Sequence, residues 1–127
     1  MSETRAASGL YVSGDLVLGG PVLAAMETIC DEVTRALSGR GLIDRLHARP
    51  VDLLVIDLEA EDLNLPALGE IARTHGRPII VAYAPHVASA RIQAARDAGF
   101  AAVISRGQAS SQLSSILRQL VAASPRE

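Results

Sequence analysis

Residues 51–57 read Val51-Asp52-Leu53-Leu54-Val55-Ile56-Asp57, an apolar run that stops on a carboxylate. In an extended segment, successive side chains point to opposite faces. A run this apolar must therefore be covered on both faces, which is the situation of a central strand in a parallel sheet. Asp57 then stands at the carboxyl end of such a strand. In open α/β sheets that is where ligands and chemistry gather, at the point where the strand order reverses.

Upstream of this strand, Pro50 closes a short helix predicted over residues 40–48, with Leu42, Ile43 and Leu46 inward. Residues 32–37 read as a short edge strand. Residues 17–30 carry Val17, Leu18, Val22, Ala25, Met26 and Ile29 at helical spacing, and Gly19-Gly20-Pro21 blurs where that helix starts. Leu10-Tyr11-Val12 reads as the first strand, ending at Ser13-Gly14-Asp15. Residues 1–9 read as a disordered lead.

Downstream, residues 65–75 predict a helix with Pro66 near its start, Leu68, Ile71 and Ala72 inward, and Gly76 at its end. Residues 78–83 predict a buried strand. Residues 86–98 predict an Ala-rich helix stopped by Gly99, and residues 100–104 the last strand. The final helix, residues 109–122, carries a stripe of Leu113, Ile116, Leu117, Leu120 and Val121, before a short tail over residues 123–127. Strand and helix alternate five times. That order implies a parallel sheet with right-handed crossovers and helices on both faces. The expected fold is α/β, a single doubly wound (βα)5 flavodoxin-like three-layer sandwich over residues 10–122 with sheet order 2-1-3-4-5.

Composition narrows the function classes. The chain of 127 residues is 49% apolar and 20% charged, which fits one globular domain with its own core. No apolar run approaches the roughly 20 residues that span a bilayer. The opening Met1-Ser2-Glu3-Thr4-Arg5 has no long apolar core behind it, so a cytoplasmic protein without a membrane partner is expected. Net charge is −2 and the basic residues are scattered, which argues against nucleic acid as a partner. All 12 basic residues are Arg, so Schiff-base chemistry and a phosphate-loop lysine are excluded. Tyr11, Tyr83 and Phe100 are the only aromatic residues and make no base-stacking platform. Cys30 stands alone, which excludes an internal disulfide and a Cys-rich metal site and suggests a small buried thiol in a helix.

Few other residues invite chemistry. His47, His75 and His86 fall on different elements and do not mark a metal cluster. His86, after Pro85, is expected at a helix start near the Asp57 rim. Gly14-Asp15-Leu16-Val17-Leu18-Gly19-Gly20 follows the first strand but matches neither the dinucleotide nor the phosphate-loop pattern. Ser105, Ser110 and Ser111 read as capping and loop residues. No nucleophile–base pair can be placed, so no catalytic residue is assigned and an enzyme is not expected.

Three segments, in this order and spacing, carry a resemblance. Pro50-Val51-Asp52-Leu53-Leu54-Val55-Ile56-Asp57-Leu58, Pro78-Ile79-Ile80-Val81-Ala82-Tyr83-Ala84 and Ala94-Ala95-Arg96-Asp97-Ala98-Gly99-Phe100 resemble parts of the response-regulator receiver domain. They are similar to its third strand with the acceptor aspartate, its fourth strand, and the Ala-Gly-Ala turn before its fifth. The resemblance implies a two-component signalling domain, with Asp57 as the candidate phospho-acceptor. It also implies Mg²⁺ held by an acidic pair after the first strand, because a carboxylate attacking a phosphoryl donor meets charge repulsion.

At the matching positions this chain departs from the family. The acidic pair is Ser13 and Gly14, with Asp15 one place late; Asp15 and Asp57 are the only metal candidates. The small hydroxyl residue ending the fourth strand is Tyr83, either a gate to the pocket or a half-buried rim residue. The lysine ending the fifth strand is Arg106, the proline after it Gly107, and the fifth-strand aromatic Val103. An Arg fork does not substitute for an ammonium. If Arg106 pairs with Asp57, the carboxyl pKa falls.

The expectation is a degenerate, pseudo-receiver: a stand-alone signalling module acting through protein–protein interaction, without a cofactor. The resemblance places its contacts on the last two helices and the fifth strand, toward another signalling protein or a second copy in a homodimer. Two alternatives stand beside it. One is a phospho-receiver using Asp57 and Mg²⁺, and the other is a small-ligand-binding flavodoxin-like domain.

Overall fold

The computed structural model describes residues 5–124. Its strands are β1 (Ala6–Val12), β2 (Cys30–Ala36), β3 (Leu53–Asp57), β4 (Ile79–Ala84) and β5 (Ala102–Ser105). The helices are α1 (Gly19–Glu27), α2 (Leu42–Ala48), α3 (Leu65–His75), α4 (Ser89–Asp97), α5 (Arg106–Ser111) and α6 (Leu113–Ala123). The five strands form one parallel sheet in the order β2-β1-β3-β4-β5. This is the expected doubly wound order, with β3 at the centre.

The residues of β3 are buried on both faces. Leu53 and Val55 enter one core with Tyr11, Val22, Met26, Val81, Leu113 and Leu117, beneath α1 and α6. Leu54 and Ile56 enter the other with Val12, Leu42, Leu46, Leu68 and Ala95, beneath α2, α3 and α4. Burying one such aliphatic side chain is worth about 1.5–3 kcal/mol, so this strand is the chief anchor of both layers.

Local signals explain the helix ends. The Asn64 side chain accepts from Ala67 N–H at 3.1 Å, with proline in the first turn. Gly76 closes α3 at φ +71°, a left-handed conformation that glycine adopts without penalty. Ser105 and Gln108 form a reciprocal capping box at the start of α5.

Several boundaries differ from expectation. β1 starts at Ala6, so residues 6–9 of the expected disordered lead are strand; parallel pairing with β2 and burial of Ala6 override weak local propensity. Residues 1–4 of that lead, and residues 125–127 of the expected tail, lie outside the described residues. α1 begins at Gly19, leaving Val17 in the preceding loop, and it ends at Glu27. Cys30 therefore opens β2 and is buried there, not in a helix. α4 begins at Ser89, which leaves His86 in a turn. The single helix expected over residues 109–122 is two, because the capping box starts α5 directly after β5 and the chain turns at Gln112 (φ −126°). That turn lets α6 lay Leu113, Leu117 and Val121 on the sheet.

Candidate functional site

Strand order reverses between β1 and β3, and the βα loops surround that point at the carboxyl end of the sheet. Asp57, the last residue of β3, is 5% exposed. It lines a cleft of about 370 Å³ with Gly14, Asp15, Leu37, Ser38, Glu59, Ala60 and Glu61. The expected rim residues Ser13, Gly14, Asp15, Tyr83 and Arg106 all gather here, but their connections are not those expected.

Both oxygens of Asp57 are already engaged. The Ser13 hydroxyl donates to Oδ2 at 2.7 Å, and the Glu59 N–H donates to Oδ1 at 2.9 Å. Ser13 is itself fully buried at the end of β1, and its Oγ accepts from Asp15 N–H at 2.9 Å. A serine can donate to a carboxylate where an acid would repel it, so the two strand ends close on each other.

Arg106 does not pair with Asp57. Its guanidinium lies 2.8 Å from Asp15 Oδ2 and 3.8 Å from Glu59 Oε1. Asp15 Oδ1 accepts from Val17 N–H at 2.8 Å and Leu18 N–H at 3.1 Å. These backbone donors, Leu18 first and then Val17, hold the Asp15 carboxyl below its usual pKa, and Arg106 and Arg35 add to the effect against partial desolvation. The acid that sits one place late thus takes the cation expected for Asp57.

Tyr83 is not the half-buried rim residue expected, since it is 1% exposed. In register it neighbours Asp57, and its hydroxyl meets that of Tyr11 at 2.5 Å across β3. The two rings lie 6.5 Å apart at 28°. Burial, and then the Tyr11 hydrogen bond, push the Tyr83 hydroxyl pKa strongly upward, with Ser13 opposing, so it stays protonated. Arg35 reaches from β2 to lie 5.1 Å over the Tyr11 ring. Its guanidinium also donates to the Ser13 carbonyl at 3.0 Å and the Asp15 carbonyl at 2.9 Å. Aromatic rings and a protein-bound guanidinium thus fill the ground beside Asp57.

Tyr11 and Arg35 escaped the sequence reading. A signal for Tyr11 existed: the chain has two tyrosines, each near the carboxyl end of a strand flanking β3. Arg35 gave none, because its reach depends on the pairing of β2 with β1. His86 is exposed and has no hydrogen bond or ion pair among the described residues. Burial pushes the Cys30 thiol pKa up to about 11, which disqualifies it as a nucleophile at neutral pH.

A divalent cation here would need carboxylate oxygens converging beside Asp57. Ser13 and Gly14 supply none, and both Asp15 oxygens are taken. The residues present do not fit Mg²⁺. Among the described residues no group of three or more His, Cys, Asp or Glu is placed to hold a metal. Every buried side-chain nitrogen or oxygen among them has a hydrogen-bond partner.

No protein-family model matches the sequence, and no curated protein matches it. Solved structures do match. The signal receiver domain of the putative response regulator NarL from Mycobacterium tuberculosis aligns with a TM-score of 0.74 at 12% identity, covering 94% of this chain and 98% of that one. The response regulator domain of Thermotoga maritima CheB aligns at 0.70 and 17% identity, covering 95% and 100%. The isolated receiver domain of Salmonella enterica RcsB, in the presence of the phosphomimetic BeF3⁻, aligns at 0.74 and 15% identity, covering 94% and 91%. The chain has the receiver fold of response regulators; at these identities the likeness speaks to fold alone.

Proposed function

We propose that this domain is a pseudo-receiver: a signalling module that works by protein–protein contact and not by phosphorylation of Asp57. The observation that carries the reading is the closure of Asp57. Its oxygens accept from Ser13 and the Glu59 N–H, Tyr83 fills the neighbouring register position, and the nearest expected cation is bound to Asp15. A phosphoryl group would have to break the Ser13 bond, displace a buried tyrosine and do without a counter-charge. Each of these raises the barrier that a working receiver lowers.

The reading includes no catalytic turnover, no resident cofactor and a cytoplasmic place of work. It keeps the partner chemistry expected of the fold: another signalling protein, or a second copy through α4, β5 and the α5–α6 pair that stands where one last helix was expected.

Intact mass after incubation with acetyl phosphate and Mg²⁺, beside Asp57→Asn, tests it. No mass gain in either protein is expected, and BeF3⁻ with Mg²⁺ should leave the melting midpoint unmoved. A phosphoryl gain in the unsubstituted protein alone would overturn the reading in favour of a phospho-receiver with Arg106 recruited to the site.

A further inference from the structure

Four large apolar side chains are strongly exposed among the described residues: Leu16 (78%), Val17 (89%), Leu37 (64%) and Val87 (78%). Single exposed aliphatics are ordinary. These are not scattered, however. Leu16 and Val17 lie between β1 and α1, Leu37 between β2 and α2, and Val87 between β4 and α4. Every one is on a βα connection, so all stand at the carboxyl end of the parallel sheet. Among the described residues no other large apolar side chain is comparably exposed.

The loops presenting them are anchored. Asp15 accepts the N–H groups of Val17 and Leu18, and Arg35 holds the Ser13 and Asp15 carbonyls. Gly39 N–H donates to the Glu61 carbonyl at 2.8 Å, and a Cβ on Gly39 would stand 2.2 Å from the Asp62 carbonyl oxygen. The loops after β2 and β3 therefore touch backbone to backbone. The apolar side chains are held out to water by fixed backbone, which lowers the ordering cost of binding.

Between them the surface is acidic. Glu59 and Glu61 line the cleft with Leu37, and Glu61 has no ion pair among the described residues. Exposed apolar anchors beside Glu61, which has no ion pair among the described residues, and Glu59, which Arg106 approaches only at 3.8 Å, complement a segment that carries apolar and basic side chains together.

From this we infer that the carboxyl end of the sheet is a docking surface for a basic amphipathic segment of a partner protein. Its apolar side chains seat against Leu16, Val17 and Leu37, and its cations face Glu59 and Glu61. The inference rests on the pseudo-receiver reading, because a partner there covers the mouth of the Asp57 cleft.

Fluorescence anisotropy with a labelled Leu/Lys amphipathic peptide, against a Leu/Glu peptide of the same length, tests it on the full chain. The Leu/Lys peptide should bind and the Leu/Glu peptide should not. Leu16→Ser with Val17→Ser, both exposed and safe for folding, should weaken binding about tenfold. Glu59→Gln with Glu61→Gln should weaken it and flatten its salt dependence. Amide shifts on binding should fall in residues 14–18, 37–40 and 59–62.

Absence of binding, equal binding of both peptides, or shifts confined to β5 and α6 would overturn the inference. So would a dimer of the protein alone that Leu16→Ser with Val17→Ser dissolves, which would make a second copy the occupant. Phosphorylation is read separately by mass. Uptake of phosphoryl with intact peptide binding would refute the pseudo-receiver reading alone, and the converse would refute the docking surface alone.

Discussion

Two aspartates bracket the central strand, and they live in different worlds. Asp52, just before the amino end of β3, accepts from Ala7 N–H at 2.9 Å and Ser8 N–H at 3.4 Å, and its other oxygen meets the Arg77 guanidinium at 2.5 Å. Asp57, at the carboxyl end, is more deeply buried and meets a hydroxyl and one backbone N–H. Asp52 is a staple, because its charge is matched by a cation and ties β1 to the start of β4. Asp57 carries its charge without a cation in contact, in the place where the fold usually puts chemistry. A buried carboxyl group can thus be held without a cation in contact, provided each oxygen has a donor.

The strongest way to break this contrast is to empty the ground beside Asp57. Tyr83→Thr would restore the small hydroxyl residue that the resemblance calls for. It should cost about 3 kcal/mol or more, through the cavity left beside Val55 and Val81 and the loss of Tyr11's partner. Urea denaturation reads it directly. A loss below about 1 kcal/mol would mean that this end of the sheet is as adaptable as an open active site.

Next in size is Asp52→Asn. It removes the Arg77 pair and weakens two backbone bonds at a position where Arg77 is 33% exposed and can partly resolvate. A loss of about 1 kcal/mol is expected, part of it screened by salt. Asp57→Asn should be smaller still and within about 1 kcal/mol of neutral, since the amide accepts from Glu59 N–H while the Ser13 hydroxyl turns to accept from it. If Asp57→Asn is the costlier of the two, the comparison is inverted and the buried charge has a role not described above.

The smallest effect is on pH. The folded pKa of Asp15 lies below the ordinary aspartate value of 3.8, so its contribution is complete above that pH and fades as pH falls through the lower, folded value. Asp15→Asn should therefore flatten the acid limb of the stability profile, as followed by thermal midpoints between neutral and strongly acid pH. It should also release Arg106 from the β1–α1 loop.

Much of this architecture is written in local pattern. The run from Leu53 to Ile56 demands cover on both faces and receives it, and the helix ending at Gly76 has the bounds expected. The start of β1 was hidden because Ala6-Ala7-Ser8-Gly9 has little strand character until β2 pairs with it. The break at Gln112 was hidden because the apolar stripe belongs to α6 alone. At the site, the positions of Asp57, Ser13, Tyr83 and Arg106 were legible, but their partners were not. Which acid captures Arg106 depends on a loop geometry set by two backbone donors, and which way Tyr83 points depends on a tyrosine two strands away. Pairing across a sheet is a tertiary property, and spacing along a chain does not carry it.

The tyrosine pair has an optical consequence. Tyr11 and Tyr83 are the only tyrosines, and the chain has no tryptophan. Near-ultraviolet absorption and emission above the phenylalanine range therefore come from one hydrogen-bonded couple, next to Asp57. The molecule carries an intrinsic chromophore with no competing signal. Any rearrangement at the heart of the site can be followed by light alone, without a label, in the unaltered protein.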